Sequence, residues 1–435
     1  MKLLLVGGGG REHALAWRIR HEHPDCTLIA APGNPGIATL AHCEPVSAGD
    51  VAGLVALAVQ QAVDGVIVGP EAPLAAGLVD ALQARGIAAF GPTAAAAQIE
   101  TSKAFAKALM HDAGVPTARA SMHTTVASAK AAAREFGAPV VIKASGLAAG
   151  KGVVVAMTLH EADAAITSML EDDAFGAAGA EVLVEEFMTG EELSLFVLTD
   201  GETAVPLPAA QDHKRVGEGD TGPNTGGMGA YCPADAGDAS YTWRNGALPA
   251  GIQHVIDVII TPTLAAMRSR GMPFRGLLYC GVMLTPAGPR VVEFNCRFGD
   301  PETQAVLTAL ADDAPLVRVM LQVARGERID PVSVFAPARS VVATVVAAEG
   351  YPGTPRSGDT IALPNVGYGE WLFHAGTTQS TDALRSSGGR VLAATATGDT
   401  LADAQQRSAA LAAGVRFTGA FHRRDIGWRA LARGA

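Results

Sequence analysis

Alternation of short apolar runs with helical stretches in the first hundred residues is the feature that most restricts the fold. Apolar runs at 2–6, 27–31, 65–68 and 87–90 are separated by segments with helical periodicity near 11–19, 51–62 and 78–85. Strands that alternate with helices in this way predict βαβ units and a parallel sheet. We therefore expect a Rossmann-like α/β domain over residues 1–100.

Three loops of this domain carry glycine, proline or polar residues directly after a predicted strand, at 7–10, 32–36 and 69–74. Ligands of parallel sheets bind at the carboxyl ends of strands, so the three loops are expected to face one site. The glycine turn at 7–10 opens a helix and could present free N–H groups to an anion, although a purely structural turn remains an alternative. A dinucleotide is disfavoured, because the third glycine of GxGxxG would fall at Glu12 or His13 and the second strand ends in Pro32 rather than an acid.

A second unit begins near Thr117 and contains a strand that ends in Lys143. Three glycines in the following seven residues, 146–152, predict a flexible flap between two strands. This stretch is not a P-loop, because Gly152 stands where that motif needs a hydroxyl. A lysine at a buried strand end needs an anionic partner, either a phosphate or a fixed carboxylate. Acidic residues after the strand at 182–187 suit an adenine amine and ribose hydroxyls, or a solvated hairpin.

The densest polar patch is VVEFNCRFGDPETQ at 291–304. Alternation along a strand places Glu293 and Asn295 on one face. Their oxygens are of the kind that holds Mg²⁺ beside a substrate phosphate. Arg297, Asp300 and Glu302 follow on a predicted turn that leads into a helix. The alternative interpretation is a strand end followed by a solvated turn.

Residues 211–231 contain a mixed-charge cluster, QDHKR, and a loop rich in glycine and hydroxyl groups, DTGPNTGGMGAY. Such a loop is a poor packing element and is more typical of a substrate loop. We assign no catalytic role to His213. A predicted hairpin at 275–295 leads directly into the 291–304 patch. An α+β segment from residue 327 onward is interpreted as a lid or wall domain.

Composition excludes several classes of function. The net charge of −10 argues against a nucleic-acid surface. The apolar run at 3–6 is too short for a signal-peptide core or a membrane span. Five scattered cysteines without a CxxC spacing indicate reduced thiols, with neither a disulfide framework nor a zinc site. We therefore expect a cytoplasmic α/β enzyme that binds small molecules and neither nucleic acid nor membrane.

Seven motifs together resemble the ATP-grasp superfamily and, within it, the glycinamide ribonucleotide synthetase family of phosphoribosylamine–glycine ligases. They are GGREHAL at 9–15, GPEAPL at 69–74, GLAAGKGV at 146–153, QDHKR at 211–215, DTGPNTGGMGAY at 220–231, EFNCRFGDPETQ at 293–304 and DIGWR at 425–429. The resemblance covers essentially the whole chain. It implies a multidomain α/β and α+β protein with a pre-ATP-grasp domain at 1–100, an ATP-grasp domain at 101–326 (flap subdomain about 117–190) and a C-terminal α+β domain at 327–435.

The resemblance also implies an enzyme that joins glycine to 5-phosphoribosylamine in de novo purine synthesis. ATP would become ADP and phosphate, through a glycyl phosphate intermediate. No side-chain nucleophile is needed, so catalysis would rest on positioning and charge neutralisation. Mg²⁺ or Mn²⁺ is the implied metal, and a monomer is the implied oligomeric state.

Family motifs supply the metal and ATP contacts, whereas Arg297 is a candidate and Asp212 is assigned from its position and charge. Metal ligands would be Glu293 and Asn295, and Arg297, Asp212 and Lys143 would act in catalysis, with Asp212 on the glycine ammonium and Arg297 on the transferring phosphoryl group. ATP would contact Lys103, Lys143, Gly146, Gly150, Lys151, Gly152, Glu185, Glu186, Phe187 and Glu192. The other substrates would contact Gly9, Gly10, Arg11, Glu12, Asn34, Glu71, Asp212, Lys214, Asn224, Arg297 and Asp300.

The chain departs from the family pattern at two positions and leaves a third feature open. Gly8 stands where an asparagine is usual, and Ser145 stands where an aspartate is usual. No acid lies at 276–284, so the ligands of a second metal are undetermined. Three other hypotheses remain: a ligase or carboxylase of the same superfamily with another acceptor, a nucleotide-dependent oxidoreductase, and a non-catalytic ATP-binding regulator.

Overall fold

The computed structural model describes residues 1–145, 152–171, 181–330 and 335–434. It contains a parallel sheet at the N-terminus and antiparallel sheets in the middle and C-terminal segments. The predicted α/β and α+β multidomain class is confirmed.

The N-terminal segment forms the parallel sheet that the alternation predicts. Its elements are β1 (Lys2–Gly7), α1 (Gly10–Glu22), β2 (Thr27–Pro32), β3 (His42–Cys43), α2 (Val51–Gln60), β4 (Gly65–Val68), α3 (Glu71–Ala75), α4 (Leu78–Gln83), β5 (Ala89–Phe90) and α5 (Ala94–Thr101). The strand order is β3-β2-β1-β4-β5, with every pairing parallel. The order reverses between β1 and β4, which places a crevice at the carboxyl ends of those two strands.

Glu12 fills that crevice. A Cβ atom built on Gly7 or on Gly69 would lie 2.5 Å or less from the Glu12 side chain, so the carboxylate sits between the loops that follow β1 and β4. It accepts a hydrogen bond of 2.7 Å from the N–H of Gly9. A side-chain carboxylate therefore occupies the position where a dinucleotide phosphate would need space, which agrees with the failed GxGxxG spacing.

The first half of the middle segment builds a small antiparallel sheet with two helices on it. Its elements are α6 (Lys103–Asp112), β6 (Ala120–His123), α7 (Val126–Phe136), β7 (Val140–Ala144), β8 (Val153–Ala156), α8 (Leu159–Leu170) and β9 (Val182–Glu186). The order is β6-β9-β7-β8. Buried Val140 and Ile142 of β7 pack with Ile166 of α8, so the sheet has a core of its own.

The second half builds a longer antiparallel sheet, in the order β11-β10-β16-β17. Its elements and their neighbours are β10 (Glu191–Thr199), β11 (Ala204–Pro206), β12 (Gln211–Asp212), β13 (Arg215–Gly217), β14 (Thr221–Asn224), β15 (Gly229–Cys232), α9 (Ala250–Val255), α10 (Thr261–Ser269), β16 (Gly276–Thr285), β17 (Gly288–Asn295), α11 (Glu302–Ala309) and α12 (Leu316–Ala324). A π-helical turn, Ile256–Ile260, joins α9 to α10.

The helical stretch Ala250–Ser269 is long and apolar enough to cross a membrane by length and composition alone. Its residues Ile252, Val255 and Ile259 are buried in the same core as strands of the β10–β16 sheet. Packing inside the protein therefore accounts for its apolar character.

The C-terminal segment contains β18 (Ser340–Ala347), β19 (Glu370–His374), β20 (Thr377–Gln379), β21 (Leu384–Ser386), β22 (Arg390–Gly398), α13 (Leu401–Gly414) and α14 (Trp428–Arg433). Its main sheet has the order β12-β15-β18-β22-β19. Two of these strands, β12 and β15, come from the middle segment, and Gly229 of β15 pairs with Thr344 of β18. The sheet therefore joins the predicted substrate loop to the C-terminal segment.

Candidate active site

Most of the predicted site residues line one cavity of about 750 Å³. The two antiparallel sheets of the middle segment enclose it, and the N- and C-terminal segments each contribute side chains. The predicted residues in its lining are Arg11, Glu71, Lys103, Lys143, Gly152, Glu185, Glu186, Phe187, Glu192, Asp212, Lys214, Asn224, Glu293, Asn295, Arg297 and Asp300. The structure thus brings together residues that are far apart in the sequence.

The floor of the cavity is the end of β17. This strand has a bulge at Val292, because Gly281 of β16 pairs with Glu293 while the next residue, Val282, pairs with Val291. After the bulge the strand alternates normally, so Glu293 and Asn295 both face the cavity. Burial alone would raise the pKa of Glu293, but the nearby ammonium groups of three lysines lower it overall, so the carboxylate is ionised. The three lysines are Lys214, Lys143 and Lys103.

Hydrogen-bonding partners orient the amide of Asn295. Its Nδ2 lies 3.2 Å from the carbonyl oxygen of Phe294 and 3.1 Å from Oε1 of Glu100, so Nδ2 donates to both. Oδ1 consequently points away from these acceptors. An ionised carboxylate and an amide oxygen on one strand face are chemically suited to a hard cation.

This donor set fits a cation that is held partly by substrate. Within residues 1–145, 152–171, 181–330 and 335–434, no group of three or more His, Cys, Asp or Glu side chains could hold a metal. Glu293 and Asn295 alone do not complete a coordination shell. Mg²⁺ sites with one or two protein oxygens are usually completed by phosphate oxygens and water, and these two residues match that type of site.

Lys143 has a carboxylate partner in this structure. Its Nζ lies 2.5 Å from Oε2 of Glu185, and it also donates a 3.3 Å hydrogen bond to the carbonyl oxygen of the bulged Val292. Lys107 contacts the other Glu185 oxygen at 2.6 Å. Burial would raise the pKa of Glu185, but Lys143 and Lys107 lower it overall, so a buried carboxylate is ionised between two lysines.

The predicted adenine and ribose contacts lie along the same wall. Glu186 is bound by Arg119 at 2.7 Å and by Arg290 at 2.9 Å. Phe187 is 40% exposed, which leaves its ring free to cover a ligand. Glu192 forms an ion pair with Lys214. Burial would lower the pKa of Lys214, but Glu192 and other neighbouring groups raise it well above its usual range, so it remains a cation.

Arg297 connects β17 to the N-terminal half of the chain. Its Nε donates to Glu71 at 3.1 Å, and its Nη2 lies 3.2 Å from Glu100. Glu100 also accepts a 2.7 Å hydrogen bond from the N–H of Cys296. The guanidinium is therefore held between two carboxylates and remains partly exposed to the cavity, with 20% of its side chain accessible.

Another part of the cavity is lined by the acidic side chains Asp212, Asp300 and Glu302, here called the acidic end. Burial, together with the negative charge of Glu302, raises the pKa of Asp212 well above its usual range. Oδ1 of Asp212 is buried without a hydrogen-bond partner among the described residues. Glu302 is also buried, with a raised pKa, and accepts a 3.2 Å hydrogen bond from Ser194. An unpartnered buried carboxyl oxygen is suited to a cationic or N–H-bearing ligand.

Four predicted substrate contacts in the N-terminal loops are not among the cavity's lining residues: Gly9, Gly10, Glu12 and Asn34. The N–H of Gly9 is already donated to Glu12, and Nδ2 of Asn34 donates to Gly8 and to the carbonyl oxygen of His374. A Cβ atom on Gly9 or Gly10 would lie 3.7–3.8 Å from the Asp300 carboxylate. Gly9 and Gly10 therefore lie next to Asp300, which does line the cavity.

The predicted flap is described only at its end. Gly146, Gly150 and Lys151 lie outside the described residues, while Gly152 lines the cavity.

His213, to which no catalytic role was assigned, is buried and its Nε2 accepts a 2.9 Å hydrogen bond from the N–H of Gly427. Burial lowers the pKa of His213 to about 4, as suits a neutral structural histidine.

Among the charged residues of the cavity to which the sequence assigned no role are Glu100, Lys107 and Arg390. Lys107 had a usable signal, because its spacing of four from Lys103 puts both lysines on one face of α6. Glu100 had no comparable signal, since its partners at 296 and 297 are distant in the sequence. Arg390 is the first residue of an apolar strand. A charged side chain at that position indicates an ion-pair or hydrogen-bond partner, but the sequence does not indicate which residue that partner is.

Two antiparallel sheets that enclose a cavity lined by lysines, with the strand that carries Glu293 and Asn295 as its floor, are typical of the ATP-grasp class of enzymes. Three family models match consecutive parts of the chain: the N domain of phosphoribosylglycinamide synthetase at residues 1–100, its ATP-grasp (A) domain at 101–303 and its C domain at 341–429. The chain belongs to the phosphoribosylglycinamide synthetase family.

Relatives and solved structures agree with this assignment. The chain is 47% identical to the phosphoribosylamine–glycine ligase of Vibrio parahaemolyticus, over 100% of this chain and 99% of that protein. It is 48% identical to the Mesorhizobium japonicum protein of the same name, with the same coverage. The crystal structure of the Thermotoga maritima phosphoribosylamine–glycine ligase has a TM-score of 0.83 and 30% identity, over 98% of this chain and 100% of that one. Biotin carboxylase from Campylobacter jejuni shares the fold at a TM-score of 0.71 and 15% identity, over 100% of this chain and 95% of that one.

Proposed function

We propose that this chain is an ATP-dependent ligase that joins glycine to 5-phosphoribosylamine in the cavity floored by β17. The products are glycinamide ribonucleotide, ADP and phosphate, in de novo purine synthesis. One observation carries the proposal: ionised Glu293 and the amide oxygen of Asn295 lie among several lysines, in the same cavity as the acidic side chains Asp212, Asp300 and Glu302.

The reaction has two steps, and each conserves its atoms and charge. A carboxylate oxygen of glycine forms a bond to the γ-phosphorus of ATP while the bond from that phosphorus to ADP breaks, which gives glycyl phosphate. The amine nitrogen of phosphoribosylamine then bonds to the glycyl carbonyl carbon, phosphate leaves, and the nitrogen loses a proton. Neither step uses a side-chain nucleophile, so the residues act by binding and by neutralising charge.

The nucleotide belongs at the wall formed by β7, β9 and β10. Lys103 and Lys143 are assigned to the phosphates, with the 146–152 loop as a flap that includes Gly146, Gly150, Lys151 and Gly152. Glu185, Glu186, Phe187 and Glu192 are assigned to adenine and ribose. Glu185 is paired with Lys143 here, so phosphate oxygens would share that lysine with the carboxylate.

Mg²⁺ or Mn²⁺ would be held by Glu293 and Asn295, and the cation would supply positive charge against the ATP phosphates. Arg297 is assigned to the transferring phosphoryl group. It is suited to this because Glu71 and Glu100 hold its guanidinium in place while part of it faces the cavity. A preorganised cation of this kind stabilises charge that develops in the transition state.

Glycine and the ribosylamine belong at the acidic end. Asp212 is assigned to the glycine ammonium, because its Oδ1 is buried and has no hydrogen-bond partner among the described residues. The remaining assignments to these substrates are Gly9, Gly10, Arg11, Glu12, Asn34, Glu71, Lys214, Asn224 and Asp300. The proposal also includes a monomeric enzyme in the cytoplasm, with no nucleic-acid or membrane partner.

The test measures ADP release from ATP with glycine, with and without freshly prepared phosphoribosylamine. Wild-type protein is expected to release ADP only when glycine is present, and fastest with both substrates. Glu293→Ala is expected to lower the rate at least about a hundredfold, because the metal and its phosphate contacts are lost. Glu202→Ala changes an exposed glutamate and serves as the control.

Two results would contradict the proposal. ADP release that needs neither glycine nor the amine would exclude the ligase reaction. Near-normal turnover of Glu293→Ala at saturating Mg²⁺ would exclude Glu293 as the metal ligand, provided that its thermal unfolding matches that of the wild type.

A further inference from the structure

Arg390 is a cation from the C-terminal segment that lines the cavity. It is the first residue of β22, and 23% of its side chain is accessible. The cavity is otherwise lined mainly by residues of the middle segment. Arg390 is therefore a direct physical link between the C-terminal sheet and the site.

Its guanidinium binds two separate segments, the loop that contains Gly226 and the turn at Asp300 that follows β17. Nη1 donates to the carbonyl oxygen of Gly226 and, at 2.5 Å, to the carbonyl oxygen of Asp300. Nη2 lies 3.3 Å from the Asp300 carboxylate. One side chain thus holds the loop that contains Gly226 against the turn that follows β17. A planar fork with several N–H donors can do this, whereas an ammonium group cannot reach all three acceptors at once.

A tyrosine of the same C-terminal segment holds the other side of the loop. The N–H of Gly226 donates a 2.9 Å hydrogen bond to the hydroxyl oxygen of Tyr351. The N–H and the carbonyl group of Gly226 are thereby both fixed. A Cβ atom at Gly226 would lie only 3.2 Å from Cζ of Arg390, so loop and guanidinium are in close contact.

Arg390 also balances the charge of the acidic end. Asp300, Asp212 and Glu302 all act on its guanidinium. Burial would raise the pKa of Asp300, but Arg390, followed by Arg11, lowers it overall, so Asp300 is ionised. Without Arg390, the Asp300 carboxylate would lose an ion-pair partner and the loop that contains Gly226 would lose its anchor.

We propose that Arg390 is a positioning residue that shapes the binding site for glycine and the ribosylamine by holding the 224–227 loop and Asp300 together, an inference that rests on the proposed function. Its described hydrogen bonds and ion pair are with Gly226, Gly227 and Asp300, and not with the strands β7, β9 and β10 to which the nucleotide is assigned. Removal of Arg390 therefore weakens the binding of glycine or the amine and leaves the binding of nucleotide intact.

The test compares full-length Arg390→Met with wild type by steady-state ADP release and by calorimetric binding of MgADP. The KM for glycine or phosphoribosylamine is expected to rise about tenfold or more, because charged hydrogen bonds and loop position are lost. The Kd of MgADP is expected to stay within about twofold, a change too small to indicate a lost contact. Arg390→Lys is expected to recover part of the KM change.

Arg407→Met is the matched control, since Arg407 likewise binds two backbone carbonyls and a carboxylate of the C-terminal segment. It is expected to leave both KM values unchanged. The inference is overturned if Arg390→Met leaves both KM values unchanged, if its Kd for MgADP rises as much as the KM, or if Arg407→Met reproduces the KM change. A wild-type protein without glycine-dependent ADP release would instead overturn the proposed function.

Tyr351→Phe keeps the inference testable if Arg390→Met fails to fold. It removes one hydroxyl group that holds the same glycine. The same KM is expected to rise about two- to fivefold, the effect of one neutral hydrogen bond. An unchanged KM in a folded Tyr351→Phe protein would overturn the inference.

Discussion

Glu185 is the most constrained charged residue of the nucleotide wall. It is 2% exposed and contacts Lys143 at 2.5 Å and Lys107 at 2.6 Å. Removal of a buried carboxylate that is paired with two lysines leaves uncompensated positive charge in a low-dielectric environment.

Glu185→Gln is accordingly expected to destabilise the ligand-free protein. The loss is about 3–5 kcal/mol, the usual effect of breaking a buried ion pair from one side. Differential scanning calorimetry of the wild type and the variant measures the loss.

Glu186→Gln is the control for that experiment, because Glu186 lies on the same strand but pairs with partly exposed arginines. Exposed pairs contribute about 1 kcal/mol or less. Equal unfolding temperatures for the wild type and Glu185→Gln would show that the two lysines do not depend on Glu185.

Local sequence pattern predicts some site residues and cannot predict others. Glu293 and Asn295 share a face because strand alternation is a local property, and the structure places both in the cavity. The pairing of Glu185 with Lys107 was not predictable from local pattern, because these residues lie on different elements. Only the tertiary packing of α6 against β9 brings them within 2.6 Å.

At the scale of elements, α13 supports the strand that carries Arg390. Ser408 of α13 donates a 2.9 Å hydrogen bond to the carbonyl oxygen of Ala394 in β22. The helix begins with a capping box: the N–H of Asp403 donates to Thr400 Oγ1 at 3.1 Å, and the N–H of Thr400 donates to Asp403 at 3.2 Å. Its first turn therefore depends on two side chains.

Thr400→Ala is expected to weaken α13 by about 1 kcal/mol, since an N-cap hydroxyl is lost. Hydrogen–deuterium exchange of residues 401–414 is the appropriate measurement, because local opening is resolved there even when global unfolding is not two-state. Thr378→Ala, at an exposed position of β20, is the control. Faster exchange of the same residues in the control, or unchanged exchange in Thr400→Ala, would contradict the assigned role of the cap.

Elements formed by local pattern were predicted, whereas those formed by distant pairing were not. The parallel strands at 2–6, 27–31 and 65–68 follow from apolar runs separated by helices, and β1, β2 and β4 occupy those positions. The pairing of β15 with β18 was not foreseen. It joins Gly229 to Thr344, and periodicity contains no information about partners that far apart.

At the scale of the whole molecule, two histidines join the N-terminal helix α1 to the C-terminal strand β19. Nδ1 of His13 accepts a 2.8 Å hydrogen bond from the N–H of His374. Burial, followed by the charge of His374, lowers the pKa of His13 to about 3, and burial lowers the pKa of His374 to about 4. Both side chains are therefore neutral in the folded protein near neutral pH, and a protonated His13 could not accept this hydrogen bond.

These two pKa values predict how stability depends on pH. The unfolded chain binds protons on these histidines below about pH 6.5, whereas the folded chain binds them only near pH 3–4. Between these limits the unfolded state holds more protons, so the free energy of unfolding falls as the pH is lowered. Each histidine contributes a slope of up to about 1.4 kcal/mol per pH unit.

His13→Gln is expected to make the pH dependence of unfolding shallower than in the wild type between about pH 6.5 and pH 4, because one of the buried neutral histidines is gone. The glutamine amide oxygen can still accept from His374, so the variant is expected to fold at pH 7 with reduced stability. Thermal unfolding at several pH values measures the slope, and carboxylates contribute equally to both proteins. The exposed His254→Gln is the control and is expected to retain the wild-type slope. If the slope of His13→Gln equals that of the wild type, burial of His13 does not contribute to the pH dependence of unfolding.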